Sequence, residues 1–228
     1  MHIKSSSPAN SNHIQVKICG ITSVEDALIC SDSGADAVGL VFYPPSSRFV
    51  SLEQAAAITS VLPSGMARVG VFVNESYDTL MHTAWRCRLS AVQLHGRESP
   101  ELVDRLGQNG IWVIKCLYLN GQPGIDTAGS YEAQAFLVEC SAGKLPGGNA
   151  KIWDWSAARV FAENHPTIIA GGLGPANVDE AISAARPEAV DVSSGVESGP
   201  GRKDGRKVRD FISTVHRTTM KDPTRRVF

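Results

Sequence analysis

Ala170-Gly171-Gly172-Leu173-Gly174-Pro175 and Asp191-Val192-Ser193-Ser194-Gly195-Val196-Glu197 share one layout. Apolar residues lead into small residues with free backbone N–H groups, and the layout predicts a helix start after each. Two such loops side by side hold a phosphate with peptide N–H groups and the positive ends of helix dipoles. In a (β/α)8 barrel the loops after strands seven and eight recur as a phosphate site. The pair therefore points to a phosphorylated small molecule as the ligand.

Upstream of these loops, short apolar runs recur at 15–18, 37–42, 67–73, 91–94, 112–118 and 135–138, and the two loops themselves follow runs at 167–170 and 189–192. Helix-compatible stretches separate most of them, at 23–33, 52–61, 77–87, 100–106, 156–164 and 175–185, and a last helix is predicted from Asp204 to about Arg217. Ser23 and Ser51 read as N-caps, with Glu25, Asp26 and Glu53 in the first turns. The interval 120–134 is Gly-rich and carries only a weak helix signal. Strands that are apolar on both faces and alternate with helices belong to a parallel α/β sheet. Eight of them predict a single (β/α)8 TIM barrel. An open doubly wound sheet is the alternative, but Gly20-Ile21-Thr22 after the first run supplies no dinucleotide fingerprint.

The chain has 228 residues, 43% of them hydrophobic, and a formal net charge of −1. That length suits one barrel domain, predicted over 14–219, with a disordered N-terminal tail over 1–13 and a C-terminal tail over 220–228, whose basic stretch 221–226 is read as solvated. Near-neutral charge argues against a general nucleic-acid or membrane binder. Five widely spaced cysteines without a CxxC read as reduced thiols of a cytoplasmic protein. No apolar run approaches the roughly 20 residues of a membrane span, and the N-terminus lacks the apolar core of a signal peptide. No His/Asp/Glu cluster has metal-ligand spacing, so no metal is expected. Monomer and homodimer both remain open.

In such a barrel the chemistry sits at the C-terminal ends of the strands. The candidates there are Lys17, Cys19, Arg48, Asn74, His95, Lys115, Glu139, Gly171 to Gly174 and Asp191 to Glu197. Cys19 ends the first strand before a glycine; it is either a buried small residue or a thiolate base or nucleophile facing the pocket. Glu139 follows four apolar residues, where an unpaired charge is costly. It is read either as the ion-pair partner of Lys115 or as a general acid. Arg48 is by default a surface arginine, but it lies in a loop stiffened by Pro44 and Pro45, and a held guanidinium suits a planar carboxylate as a two-pronged fork. His95 is a core or loop histidine on its own evidence. Pro146-Gly147-Gly148-Asn149-Ala150 reads as a loop long enough to close over a ligand.

Taken together, the residues resemble phosphoribosylanthranilate isomerase of tryptophan biosynthesis, over about residues 16–212. Six motifs occur in order. They are Val16-Lys-Ile-Cys-Gly-Ile-Thr22, Gly39-Leu-Val-Phe-Tyr-Pro-Pro-Ser-Ser-Arg48-Phe-Val50, Val92-Gln-Leu-His-Gly96, Pro146-Gly-Gly with Asp154-Trp155, Ala170-Gly-Gly-Leu173, and Asp191-Val-Ser-Ser-Gly-Val-Glu197. The resemblance implies an Amadori rearrangement on a (β/α)8 barrel, with no cofactor. It implies Cys19 as general base and Glu139 as general acid. It further implies Arg48 at the anthranilate carboxylate, His95 and Asp191 as substrate-binding residues, and the backbone of Gly171, Gly172, Leu173, Ser194 and Gly195 as the phosphate cradle.

Two positions depart from the family pattern. Its acid is normally an aspartate, and here the residue is Glu139. Its loop normally continues Gly-Gly with Thr or Ser and then Gly, and here it is Gly147-Gly148-Asn149-Ala150. These departures motivate a rival reading, a slow or non-catalytic paralogue that binds a sugar phosphate. A related isomerase of phosphoribosyl aminoimidazole carboxamides is a third reading. It calls for aspartates at both catalytic strand ends, and Cys19 argues against it.

Overall fold

Eight parallel strands pair in chain order, and the last closes on the first. They are β1 (Gln15–Cys19), β2 (Ala37–Val41), β3 (Ala67–Phe72), β4 (Ala91–Leu94), β5 (Trp112–Tyr118), β6 (Ala135–Glu139), β7 (Thr167–Ile169) and β8 (Ala189–Val192). Closure is a register of Gln15, Val16, Lys17 and Ile18 against Ala189, Val190, Asp191 and Val192. The computed structural model describes residues 13–141, 152–218 and 225–228. The expected closing loop at 146–150 and the N-terminal tail up to residue 12 lie outside the described residues.

Outside the barrel run α1 (Val24–Asp32), α2 (Leu52–Val61), α3 (Tyr77–Arg86), α4 (Pro100–Gln108), α5 (Arg159–Asn164), α6 (Val178–Ala185) and α7 (Gly205–Arg217). Serine side chains start the first four: Ser23, Ser51, Ser76 and Ser99 each accept an N–H of the first turn, and Ser51 with Gln54 forms a reciprocal capping box. Pro100 opens α4, where its missing N–H costs nothing. The Gly-rich interval between β5 and β6 forms a short 3-10 helix, Ile125–Ser130. Among the described residues no helix is long and apolar enough to cross a membrane.

Strand residues alternate between two apolar compartments. Val16, Ile18, Val38, Leu40, Val92 and Leu94 face the helices and join the large shell core. Ala37, Ala67, Ala91, Ala135 and Ala189, each the first residue of its strand, belong to the barrel interior. These alanines leave room at the N-terminal end of the barrel, and Val227 fills it, fully buried. The Gln15 side chain grips this segment, accepting from Val227 N and Phe228 N and donating to Arg225 O at 3.0 Å. The Trp112 indole donates to Val227 O at 3.2 Å, and Arg225 donates to the carbonyls of Ala162 and His165. Residues 225–228 are thus packed against the barrel rather than all solvated, with Arg226 exposed and Val227 buried. The chain ends in two apolar side chains, and the alanine layer offers them burial that water does not.

Two further differences from the sequence reading bear on the site. α6 begins at Val178 instead of Pro175, so the β7 loop is longer than expected. No α-helix starts directly after β8. A 3-10 turn, Ser194–Val196, leads into a hairpin of β9 (Glu197–Gly199) and β10 (Arg202–Lys203) before α7.

Candidate active site

At the C-terminal mouth the inward-facing side chains stop filling the barrel and leave an open cavity. Each of the ten site residues expected from sequence lines it: Cys19, Arg48, His95, Glu139, Gly171, Gly172, Leu173, Asp191, Ser194 and Gly195. Alternation explains the set. Cys19, Glu139 and Asp191 stand an even number of residues from inward-facing Gln15, Ala135 and Ala189, so all turn into the barrel.

On the β1 side, the Lys17 ammonium is completely buried beneath Cys19 and donates to Asp191 Oδ1 at 2.9 Å. Burial alone would push this ammonium toward its neutral form. The Asp191 carboxylate and the Cys19 sulfur beside it outweigh burial and hold its pKa above the ordinary value. Asp191 is therefore already engaged by a lysine at the floor of the pocket.

On the β6 side, Glu139 is buried, and its Oε2 lies 3.8 Å from His95 Nε2. Gln93 Nε2 lies 2.9 Å from His95 Nδ1, and Cys116 Sγ lies 3.5 Å from Nε2. Burial would push the imidazole toward its neutral form, but the Cys116 sulfur and the Glu139 carboxyl raise its pKa well above the usual range. The ion-pair alternative for Glu139 fails. Lys115 donates instead to Glu98 Oε2 at 2.8 Å and to the carbonyls of Leu94 and Gly96. The cause is again parity: Ile114 and Cys116 face inward, so Lys115 between them points out under the β4 loop. Asn74 is also structural, accepting Arg97 N at 2.7 Å outside the pocket.

Between these two sides lie the glycine loops. Among the described residues, the N–H groups of Gly172, Leu173, Ser194 and Gly195 have no hydrogen-bond acceptor. Asn177 fixes the first loop, accepting Gly174 N at 2.8 Å and donating to Gly172 O at 3.0 Å. The two loops touch at Gly195, where a Cβ would sit 1.9 Å from Leu173 O. Only glycine permits that approach. Four N–H donors without a described acceptor line one side of the mouth, the kind of donor set that can hold an anion.

Sequence reasoning missed two participants, Gln93 and Lys203. Gln93 and Ser193 line the cavity, and each has a buried oxygen without a partner among the described residues. A polar residue two places before His95 in an apolar strand was a usable signal for Gln93. Lys203 gave no such signal, because nothing local says that its hairpin folds back over β1.

A family model described as N-(5'phosphoribosyl)anthranilate (PRA) isomerase matches residues 16–214. The chain is 51% identical over 216 residues to an N-(5'-phosphoribosyl)anthranilate isomerase of Desulfatibacillum aliphaticivorans, covering 95% of this chain and 99% of the relative. The crystal structure of phosphoribosyl anthranilate isomerase from Thermotoga maritima superposes with a TM-score of 0.82 at 42% identity, over 89% of this chain and 98% of that one. A second structure is the same kind of enzyme in complex with reduced 1-(o-carboxyphenylamino)-1-deoxyribulose 5-phosphate. It gives 0.79 at 41% identity, with the same coverage.

Proposed function

The chain belongs to the N-(5'-phosphoribosyl)anthranilate isomerase family, and from that premise we propose that Cys19 and Glu139 divide its proton transfers across the barrel mouth. The protein is an isomerase of tryptophan biosynthesis. It converts N-(5'-phosphoribosyl)anthranilate, an aminoaldose, into the aminoketose 1-(2-carboxyphenylamino)-1-deoxyribulose 5-phosphate.

As general acid, Glu139 gives a proton to the ribose ring oxygen as the bond from that oxygen to C1 breaks. The nitrogen lone pair forms the C=N bond of the Schiff base. Cys19, as thiolate, takes the C2 proton, and the electron pair moves to make the C1=C2 enolamine. Loss of the C2 hydroxyl proton and protonation of C1 give the ketone. No electron leaves the substrate, so two proton-carrying groups suffice. The Lys17 side chain lies fully buried beside Cys19, paired with Asp191. His95 faces the Glu139 carboxyl from the far side and steers it.

The observation that carries this reading is strand order. β7 and β8 stand between β6 and β1, so the unpaired N–H groups lie between Glu139 and Cys19. A phosphate anchored there places the ribose across the mouth with one group on each side. Binding energy at the phosphate, remote from the reacting carbons, is then available for orientation. The family's usual aspartate is replaced by a carboxyl on a longer arm, and the contact with His95 supports the view that this arm is held.

Cys19→Ala and Glu139→Gln should each lower kcat/KM by about 10²- to 10⁴-fold, followed by fluorescence decay of freshly made substrate. Full activity in either variant would remove that residue from the mechanism.

A further inference from the structure

One of the two fork edges of the Arg48 guanidinium, Nε with Nη2, is already occupied. Nε donates to Glu197 Oε1 at 2.8 Å and Nη2 to Glu197 Oε2 at 2.7 Å. Among the described residues Nη1 has no hydrogen-bond partner, and Arg48 lines the cavity. Glu197 and Lys203 do not line it.

Glu197 serves a second cation. Its Oε1 accepts from Lys203 Nζ at 2.9 Å. The Lys203 side chain is fully enclosed and donates also to the backbone oxygen of Cys19 at 2.6 Å and of Ser193 at 3.4 Å. Its own N–H donates to Asp26 Oδ2 on α1 at 3.0 Å. The Arg48 stem runs across Gly20, the residue after Cys19. A Cβ on Gly20 would meet Arg48 Cδ at 2.4 Å, and its φ of +76° disfavours any side chain there. One buried carboxylate thus connects the end of β1, the loop after β2 and the hairpin after β8.

Burying three charges is a weak route to stability. Its effect here is direction. A free arginine carries about 2 kcal/mol of rotamer entropy, which is lost when it binds an anion. Arg48 has lost that freedom before any ligand arrives. The triad carries one net positive charge, and Nη1 is the Arg48 nitrogen without a described partner.

We propose that Glu197 and Lys203 are positioning residues for the isomerisation: Glu197 holds the Nε–Nη2 edge of Arg48 so that the Nη1 end receives the substrate carboxylate, and Lys203 ties this clamp to the backbone of Cys19. The inference rests on the reading of Arg48 as the carboxylate receptor and of Cys19 as the base. It differs from the expected two-pronged grip in that the fork belongs to the protein and its outer end to the ligand.

A double-mutant cycle separates the two layers. Arg48→Ala, Glu197→Gln and the double variant are assayed for KM, kcat and inhibition by the reduced product analogue, with and without its carboxyl group. We expect Glu197→Gln to raise KM and the inhibition constant of the carboxylate compound about 10- to 100-fold. kcat should stay within about threefold, and the decarboxylated compound should bind unchanged. On the Arg48→Ala background Glu197→Gln should add less than about twofold. Lys203→Met should show the opposite split, lowering kcat about tenfold or more with KM little changed, because it releases the Cys19 carbonyl and leaves the fork. If Arg48→Ala does not weaken the carboxylate compound, the reading of Arg48 falls and this inference with it. If Arg48→Ala is weakened and Glu197→Gln is not, only the positioning role is overturned. Melting curves confirm that each variant is folded. Should Glu197→Gln fail to fold, unchanged kcat in Lys203→Met would overturn the proposal by itself.

Discussion

The Glu197 carboxylate shows at the scale of one residue how context sets charge. Burial alone would push its pKa up, but hydrogen bonds from Arg48 and Lys203 outweigh burial and hold it below its ordinary 4.5. The partner effect on Arg48 is reciprocal: its hydrogen bond to Glu197 raises its pKa against the effect of burial. A carboxyl whose folded value is depressed adds stability above the unfolded value and loses it as pH falls through the folded one. Wild type should therefore exceed Glu197→Gln in unfolding free energy by a steady margin from pH 7 down to about 4.5. The margin should shrink as acid protonates the carboxylate. Urea unfolding at a series of pH values checks this, and a margin that grows below pH 4.5 contradicts it. Cysteines show the same dependence on surroundings. Burial pushes the Cys30 thiol up to about 12, which leaves it an inert packing group on α1, whereas Cys19 lines the cavity.

At the scale of elements, the decisive contact is between the loops that follow β7 and β8. Their approach at Gly195 leaves no space for a methyl group. Gly195→Ala should force the loops apart and spread the four N–H donors. The expected result is a rise of about 10²-fold in KM, with inorganic phosphate losing its power to compete with substrate. Steady-state assays with added orthophosphate measure both. Unaltered phosphate competition would mean that these loops do not hold the anion. The hairpin β9–β10 has a comparable task. It carries Glu197 and Lys203 back over the end of β1 and occupies chain that a regular crossover would have given to a helix.

The whole molecule keeps chemistry and closure at opposite ends. Cys19, Glu139 and the glycine loops stand at the C-terminal ends of the strands; the alanine layer and Val227 stand at the N-terminal ends. Barrels of this type separate activity and stability in that way. Removing residues 225–228, or the substitution Val227→Asp, should cost at least the roughly 2 kcal/mol of one buried valine. For a chain this long that is a fall of several degrees in Tm. kcat should be unchanged. Thermal melts and steady-state kinetics on the same samples check the pair, and an unchanged Tm would show that the segment packs without stabilising.

The sequence by itself determined the alternation of eight strands with helices, the serine caps, and the two glycine loops. These are local signals, carried by side-chain size, branching and N–H chemistry within a few residues. It also determined which residues end the strands, and so Cys19, Arg48, His95, Glu139, Asp191 and Gly195 were legible. What only the tertiary structure decided is who faces whom. Closing the barrel sets the inward phase of every strand at once, and this sends Lys115 to Glu98 and leaves Glu139 to His95. It also brings residues about 150 to 210 positions apart into contact, as Arg48 with Glu197 and Gln15 with Val227. Such pairs share no local pattern, because their meeting depends on the path of the entire chain between them.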